Sequence, residues 1–331
     1  MQRKRVLLTG GAGFIGHHIV EHLLRMTDWE IVLLDRLDIS GNLNRLQEVV
    51  FGRQGSVGHR LTWVYHDFKA PLSTAIVESI GVINGILHVG ASTHVDRSIT
   101  NPLEFVYDNV VGTANMLEYM RMSAPDAWML YFSTDEVFGP AIGAVHYREW
   151  DRYNSTNPYA ATKAGAEELC LAYANTYNLD IRISHCMNVF GERQHKEKFI
   201  PLIMRSVLDG KKLFIHADAT KTKAGSRCYI HARNVADAVM FLIENGSRRE
   251  KYNIVGSREV DNLTLAKMIA EMIGKPLQYE LVDFHSSRPG HDLRYALDGA
   301  KLANMGWIAP IDFEKSLEKT VQWSLKNKYW L

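Results

Sequence analysis

Two adjacent carboxyl groups, those of Asp135 and Glu136, follow the apolar run WMLYF and the polar residues Ser133 and Thr134. Mutual repulsion makes it hard to keep two neighbouring carboxylates ionised, so one of them is expected to hold a proton while the other is charged. Such a pair can supply a general acid and a general base to one reaction. For an isolated pair the usual alternative is a solvated strand end or a helix cap.

A second pair, Tyr159 and Lys163, lies near the start of a predicted helix. That helix opens at Asn157-Pro158, an N-cap followed by proline at the first helical position, and runs to about Tyr177. A spacing of four residues places the phenol and the ammonium group on the same helix face. Because a neighbouring ammonium favours the ionised phenol, we expect Tyr159 to be a usable base near neutral pH. The spacing alone is common by chance.

A glycine-rich stretch, TGGAGFIG, separates the first predicted strand from its helix. Glycines permit a tight turn there and let the backbone and the helix N-terminus approach a pyrophosphate. The residues that we expect to contact a dinucleotide cofactor are Gly10, Gly13, Phe14, Ile15 and Gly16. The alternative is a glycine turn that only packs the helix against the strand.

Three charged residues bear on which dinucleotide binds. Asp35 ends the strand EIVLLD, 19 residues beyond Gly16, and is suited to a ribose 2′-hydroxyl. This carboxylate would repel the additional phosphate of NADP, so we predict NAD, although the neighbouring Arg36 weakens that preference. Asp67, just after LTWVYH, is predicted to contact the adenine side of the cofactor. Capping of the following segment is the alternative for Asp67.

Short apolar runs alternate with longer segments of helical period from RVLLT to DIRISHC. This alternation predicts an α/β fold, a doubly wound parallel sheet of the Rossmann type. The rhythm then breaks into shorter elements, which predicts a smaller mixed α/β substrate-binding lobe. We expect an NAD-binding domain over residues 1–187 and the smaller lobe over 188–331. The apolar helix VADAVMFLIEN predicts that the chain rejoins the first domain at about 229–250.

The composition is that of an ordinary globular protein. The 331 residues contain 38 Lys and Arg against 37 Asp and Glu, so no net charge favours nucleic acid or a membrane surface. No run approaches the roughly 18 apolar residues of a membrane span. The three cysteines lack a C-x-x-C pair and the histidines lack a metal-ligand spacing. We therefore expect a cytoplasmic protein without a disulfide framework or a metal.

The glycine loop, STDEVFG and Y-x-x-x-K occur in this order, and the chain resembles the extended short-chain dehydrogenase/reductase family. Within that family it resembles the nucleotide-sugar 4,6-dehydratases of the dTDP-glucose and UDP-glucose type. The resemblance runs nearly end to end and includes LDRLDISGNLNRL, HVDRSITNPLEFVYDNVVGT, NPYAATKAGAEEL, EKFIPLIM and RPGHDLRYALD. The Asp-Glu pair is the feature that separates these dehydratases from related epimerases.

The resemblance implies a role for each residue of the two pairs. Tyr159, with Lys163, would take the C4 hydroxyl proton of the sugar while NAD accepts the C4 hydride. The resulting ketone acidifies C5, so that water can be eliminated across C5 and C6. Glu136 would abstract the C5 proton and Asp135 would protonate the departing C6 oxygen. Thr134 would hydrogen-bond the C4 oxygen and position the sugar.

Other residues fall in segments that match the substrate-binding stretches of that family. They are His94, Asn188, Lys198, Arg227, Asn262 and Arg288. Surface solvation is the alternative for these side chains. Ser92 stands where the dTDP-glucose enzymes commonly carry glutamate and the UDP-glucose type glutamine, which leaves the preferred nucleobase and sugar open.

The predicted function is therefore an NAD-dependent nucleotide-sugar 4,6-dehydratase, a hydro-lyase acting on dTDP-glucose or UDP-glucose. The alternatives are a nucleotide-sugar 4-epimerase, a 5,6-dehydratase of the same superfamily, or a non-catalytic dinucleotide sensor. The resemblance also implies a homodimer formed through a four-helix contact of two long helices, Pro102 to about Met122 and the helix of Tyr159.

Overall fold

The computed structural model describes residues 3–51, 58–283 and 293–331 of the protein. The strands in these residues are β1 (Arg5–Thr9), β2 (Glu30–Asp35), β3 (Leu61–Tyr65), β4 (Gly85–His88), β5 (Trp128–Thr134), β6 (Asp180–Cys186), β7 (Asn188–Phe190), β8 (Leu213–Ala217), β9 (Ser226–His231), β10 (Lys251–Ile254), β11 (Glu259–Asp261) and β12 (Tyr279–Asp283). Seven of them form one parallel sheet in the order β3-β2-β1-β4-β5-β6-β10.

Helices connect these strands and cover the sheet. In the described residues the α-helices are α1 (Phe14–Met26), α2 (Leu43–Phe51), α3 (Thr74–Ile80), α4 (Val95–Thr100), α5 (Pro102–Phe105), α6 (Gly112–Ser123), α7 (Pro158–Thr176), α8 (Phe199–Asp209), α9 (Ala232–Asn245), α10 (Asn262–Ile273), α11 (Ala300–Asn304) and α12 (Phe313–Lys326). Parallel neighbours with helical crossovers confirm the predicted doubly wound Rossmann fold.

Both faces of the parallel sheet are buried, because side chains of a strand alternate between its two faces. Val6 and Leu8 of β1 belong to a core cluster that contains Val235 of α9. Leu7 belongs to the opposite cluster, which contains Met116 of α6. Burial on two sides explains why these strands read as continuous apolar runs and not as an alternating pattern.

The smaller lobe has two short sheets and its own core. β9 pairs with β7 in parallel and with β11 in antiparallel orientation, and β8 pairs with β12. Helices α8, α10 and α12 pack around Phe190, Ile203 and Leu265 in a third cluster. β10 pairs with β6 of the large sheet, and α9 contributes to the same cluster as α1. The division of the chain at residue 187 stays a prediction.

The long helix expected from Pro102 to about Met122 is divided into three parts. A π-helical segment, Val106–Val111, joins α5 to α6. The wider turn places Asp108 and Asn109 in the interior, where both are 2% exposed. Asn109 Nδ2 donates to Ser92 and to Thr162 of α7, so these contacts fasten the irregular turn to its surroundings.

The composition led to two expectations, one about disulfide bonds and one about membrane-spanning helices. Cys170, Cys186 and Cys228 are buried and unpaired, as their spacing predicts. Among the described residues, every helix is too short or too polar to cross a bilayer.

Candidate active site

A cavity of about 330 Å³ opens at the carboxyl ends of β1, β4 and β5. The strand order reverses between β1 and β4, which is where open parallel sheets bind their ligands. The residues singled out in the sequence that line this cavity are Gly10, Gly13, Phe14, Ile15, Gly16, Asp35, His94, Thr134, Asp135, Glu136, Tyr159, Lys163, Asn188 and Lys198. The glycine loop, the carboxyl pair and the Tyr-Lys pair therefore share one cavity.

The glycine loop has the geometry of an anion cradle. Gly10 adopts a φ angle of +71°, which residues other than glycine rarely adopt. A Cβ atom on Gly16 would lie 2.1 Å from the carbonyl oxygen of Gly10. Gly13 is the N-cap of α1, whose first turn contains no acidic side chain. The first N–H groups of a helix lack intrahelical partners and attract anions, so this loop fits the pyrophosphate of a dinucleotide.

Asp35 and Arg36 decide how the ribose end of the cavity is charged. The Asp35 carboxylate accepts hydrogen bonds from the N–H groups of Ala12, at 2.9 Å, and Leu37, at 2.8 Å. Arg36 donates twice to Asp108, each time at 2.8 Å. Because its guanidinium is held by that carboxylate, Arg36 is poorly placed to bind a 2′-phosphate. Arg36 weakened the prediction of NAD in the sequence, and its ion pair with Asp108 removes that objection.

Asp67 and Ser92 both contact the Arg36–Asp108 ion pair: Asp67 contacts Arg36, and Ser92 contacts Asp108. Asp67 Oδ2 lies 3.3 Å from Arg36 and 3.4 Å from Lys69. Arg36 lines the cavity, so Asp67 contacts a lining residue without lining the cavity itself. Ser92 lines the cavity and donates to Asp108 at 2.5 Å. The adenine contact proposed for Asp67 stays a prediction.

The carboxyl pair begins a short 3-10 turn directly after β5. Thr134 Oγ1 donates to Asp135 Oδ1 at 3.1 Å and accepts from the backbone N–H of Glu136 at 3.4 Å. Burial, followed by the charge of Glu136, raises the pKa of Asp135 to about 7. Within the described part of the chain, Asp135 Oδ2 is buried without a hydrogen-bond partner. A carboxyl group in this state can remain protonated and donate to a ligand in the cavity.

Tyr159 and Lys163 project from the first two turns of α7 into the same cavity. Burial, followed by the charge of Glu136, raises the pKa of the Tyr159 phenol, and a hydrogen bond with Thr134 only partly opposes this effect. Burial lowers the pKa of Lys163 to about 7. The expected lowering of the phenol pKa is therefore not found in the protein alone, because desolvation disfavours both charged forms.

Two functional candidates, one beside the cavity and one in its lining, were not recognised as such in the sequence. Asn157, expected only as a helix cap, donates from Nδ2 to Glu136 Oε2 at 3.0 Å. Arg45 lines the cavity with 3% exposure and donates to the carbonyl oxygens of Ala12 and Ser40. The Asn157 contact spans 21 residues, so no local pattern could have shown it. Arg45 lies within a helical stretch that reads as an ordinary amphipathic surface.

The predicted substrate residues are divided between the cavity lining and its surroundings. Arg227 is 6% exposed, donates to the carbonyl oxygen of Leu293 at 2.6 Å, and lowers the pKa of Asp135 by its charge. Asn262 accepts from the hydroxyl of Tyr229, which lines the cavity, at 2.8 Å. Arg288 lies outside the described residues.

One group of three potential metal ligands occurs in the described ranges, at the rim of the cavity. Ligand atoms of His94, His195 and Glu197 all lie within 4.8 Å of one another. Arg97 Nη2, however, is 3.1 Å from Glu197 Oε2, the oxygen that also approaches both imidazoles. A guanidinium so close to the carboxylate would repel a divalent cation. We interpret Arg97 and Glu197 as an ion pair beside the two imidazoles and keep the prediction of no metal.

The chain is similar to known proteins over nearly its full length. The family described as GDP-mannose 4,6 dehydratase matches residues 7–320. A dTDP-glucose 4,6-dehydratase of Neisseria meningitidis is 35% identical, over 99% of this chain and 95% of that protein. A trifunctional enzyme of Arabidopsis thaliana, named as a UDP-glucose 4,6-dehydratase with epimerase and reductase activities, is 34% identical over 99% of this chain and 48% of its own length.

Solved structures agree with this relationship. The crystal structure of DesIV, a dTDP-glucose 4,6-dehydratase of Streptomyces venezuelae with NAD and TYD bound, superposes with a TM-score of 0.87. It is 33% identical, with 98% of each chain covered. The match of the family over residues 7–320 and these full-length similarities confirm the resemblance found in the sequence. The chain belongs to the GDP-mannose 4,6 dehydratase family.

Proposed function

We propose that this protein is an NAD-dependent nucleotide-sugar 4,6-dehydratase that converts dTDP-glucose or UDP-glucose to the 4-keto-6-deoxy sugar. The observation that carries the proposal is the position of Asp135 and Glu136 in the same cavity as Tyr159 and the glycine loop. Relatives named as dTDP-glucose and UDP-glucose 4,6-dehydratases match the chain over nearly its whole length, which supports both nucleotide sugars as candidates.

Oxidation at C4 requires a base and a hydride acceptor. When bound, NAD supplies the hydride acceptor for C4 and the later donor to C6, and its positively charged nicotinamide favours the phenolate of Tyr159. Tyr159 takes the proton of the C4 hydroxyl, and the hydroxyl of Thr134, which lines the same cavity, holds the C4 oxygen. The ketone formed at C4 makes the C5 proton acidic enough to be removed by a carboxylate.

Elimination then uses the carboxyl pair. Glu136 removes the C5 proton, and the electron pair left at C5 forms the C5–C6 double bond as the C6–O bond breaks. Asp135 gives its proton to the departing oxygen, which leaves as water. The product forms when a hydride adds to C6 and Glu136 returns its proton to C5. A carboxyl pKa of about 7 keeps Asp135 largely protonated below that pH, as this step demands.

Cations and amides around the cavity are suited to the nucleotide diphosphate. Lys198 and Asn188 line the cavity, and the buried Arg227 lies close enough to change the pKa of Asp135. Charge-assisted hydrogen bonds from lysine and arginine are strong ligands for phosphate oxygens. These three residues are therefore proposed to hold the diphosphate, with His94 closer to the sugar.

We further propose a homodimer in the cytoplasm. Leu103 and Tyr107, 70% and 56% exposed, lie on α5 and the π-helical segment that follows it. Exposed apolar side chains on a packed helix favour a contact with another chain, and α5 packs beside α7, as a four-helix contact requires. The free, buried cysteines suit a reducing compartment.

The proposal is tested with the NAD-loaded protein and a panel of nucleotide hexoses. We expect dTDP-glucose or UDP-glucose to lose one water, as measured by product mass. Unchanged mass with altered stereochemistry would support a 4-epimerase, and no product from any sugar would support a dinucleotide sensor.

Two variants test the assigned roles in the same assay. Asp135→Asn and Glu136→Gln should slow elimination by at least about 100-fold while the first hydride transfer, followed by NADH absorbance in a single turnover, changes much less. Equal loss of both steps would contradict the division of labour between the pairs.

A further inference from the structure

Asn157 lies between the two catalytic pairs and contacts both of the segments that carry them. It is 5% exposed and is the N-cap of α7, where its side-chain oxygen accepts from the backbone N–H of Ala160 at 2.9 Å. Its side-chain nitrogen donates to Glu136 Oε2 at 3.0 Å. The backbone donor fixes which end of the amide is oxygen, so the end that faces Glu136 must be the NH₂ group.

The hydrogen bonds of the two neighbouring carboxyl groups are unequal. Glu136 accepts an N–H bond from Asn157, and a donor of this kind favours a charged carboxylate. Asp135 accepts from the hydroxyl of Thr134 on one oxygen, whereas its other oxygen is buried without a partner in the described chain. Asp135 is also the more deeply buried of the two groups, so burial and hydrogen bonding together favour Glu136 as the group that gives up its proton first.

The geometry points to Asn157 as a positioning residue that makes Glu136 the base and leaves Asp135 as the acid. It acts through Glu136, and its cap simultaneously fixes the start of the helix that presents Tyr159 two residues later. The Asn157 side chain thereby fixes the distance between Tyr159, which acts at C4 of the sugar, and Glu136, which acts at C5. The assignment of base and acid rests on the proposed function, whereas the effect on the ionisation of Glu136 does not.

The test separates the cap from the contact with Glu136. Asn157→Ser keeps a good N-cap, but its hydroxyl is too short to replace the NH₂ group. Asn157→Asp also keeps the cap and replaces the donor with an acceptor next to Glu136. Asn157→Ala removes both functions and serves as the contrast. The unfolding temperature of the serine variant should stay close to that of the parent, whereas that of the alanine variant should fall, and so should that of the aspartate variant, which adds a buried carboxyl group beside Glu136.

In single turnovers of the NAD-loaded protein, Asn157→Ser should slow elimination up to about tenfold on the acid side of the pH profile, where Glu136 must lose its proton, since a hydrogen bond to the charged carboxylate is lost. The first hydride transfer should change less than about twofold. The acid limb of the elimination rate should move to higher pH by about one unit, and further for Asn157→Asp. Equal slowing of both steps, or an unmoved acid limb, would overturn the proposal.

A second readout needs no sugar. With carboxyl-labelled glutamate, the carbon NMR signal that Glu136→Gln removes identifies Glu136 in the holoenzyme. Its titration midpoint should rise by about one pH unit in Asn157→Ser. An unchanged midpoint overturns the role of Asn157, whichever sugars react. A shifted midpoint in a protein that dehydrates none of them supports the contact and refutes the dehydratase assignment.

Discussion

Asp135 is 5% exposed, and its carboxyl pKa of about 7 is a property of its surroundings. An acid with a raised pKa binds more protons in the folded than in the unfolded protein, so stability falls as pH rises from about 4 to about 7. Asp135 therefore lowers the free energy of unfolding near pH 7, where it is proposed to act as the acid. Active sites commonly reduce stability in this way.

Replacement of Asp135 by asparagine should consequently stabilise the protein at alkaline pH. The increase over the ordinary value of 3.8 corresponds to at most about 4 kcal/mol at about 1.4 kcal/mol per pKa unit, so we expect a gain of about 2–4 kcal/mol at pH 8. Near pH 4 the gain should vanish. Unfolding free energies of parent and Asp135→Asn across this range measure it, and a gain that is independent of pH would contradict the explanation.

At the scale of elements, a buried ionic cluster ties α7 to its neighbours below the cavity. Glu167, on the helix that carries Tyr159, lies 2.9 Å from Lys251 Nζ of β10 and 3.1 Å from His185 Nε2 of β6. Tyr153 hydrogen-bonds both Glu167 and Lys251. Despite its burial, the pKa of Glu167 is lowered, with His185 and Lys251 as the main charges responsible. These contacts hold the catalytic helix in register with the sheet.

Loss of one partner from this cluster should be expensive, because it leaves a buried charge poorly compensated. We expect Lys251→Met to lower the unfolding free energy by about 3–5 kcal/mol at pH 7. The exposed ion pair of Lys212 and Glu280 provides the control, and Lys212→Met should cost less than about 1 kcal/mol. Denaturant titration measures both, and equal losses would show that burial of the cluster does not matter.

Over the whole molecule, the parallel sheet supplies one wall of the cavity and the smaller lobe supplies the other. Phe190, Lys198 and Tyr229 of the smaller lobe line the same cavity as the glycine loop. The proposed nucleotide-sugar substrate would therefore contact both walls.

The proposed dimer makes a prediction at the same scale. Leu103→Asp places a charge on the exposed apolar face of α5 and should convert the dimer to a monomer, as measured by light scattering after size exclusion. Ile308→Asp is the matched control, since Ile308 is 81% exposed elsewhere in the structure, and it should leave the mass unchanged. A monomeric parent, or a Leu103→Asp variant that keeps the dimer mass, would refute the proposed contact.

The sequence by itself determined the features that depend on local spacing. The alternation of apolar runs predicted the doubly wound sheet, the N-cap and proline predicted the start of α7, and the glycine loop and Asp35 predicted the cofactor. These inferences hold because helix and strand periods, and the turns that glycine permits, follow from covalent geometry over a few residues.

Only the tertiary structure decided the charge states and the long-range partners. Desolvation raises the pKa values of Asp135 and Tyr159 and lowers that of Lys163, against the expectation for the phenol. The bonds of Arg36 to Asp108 and of Asn157 to Glu136 join residues 72 and 21 positions apart. Burial and such contacts depend on how segments distant in the chain pack together, and local sequence patterns do not predict that packing.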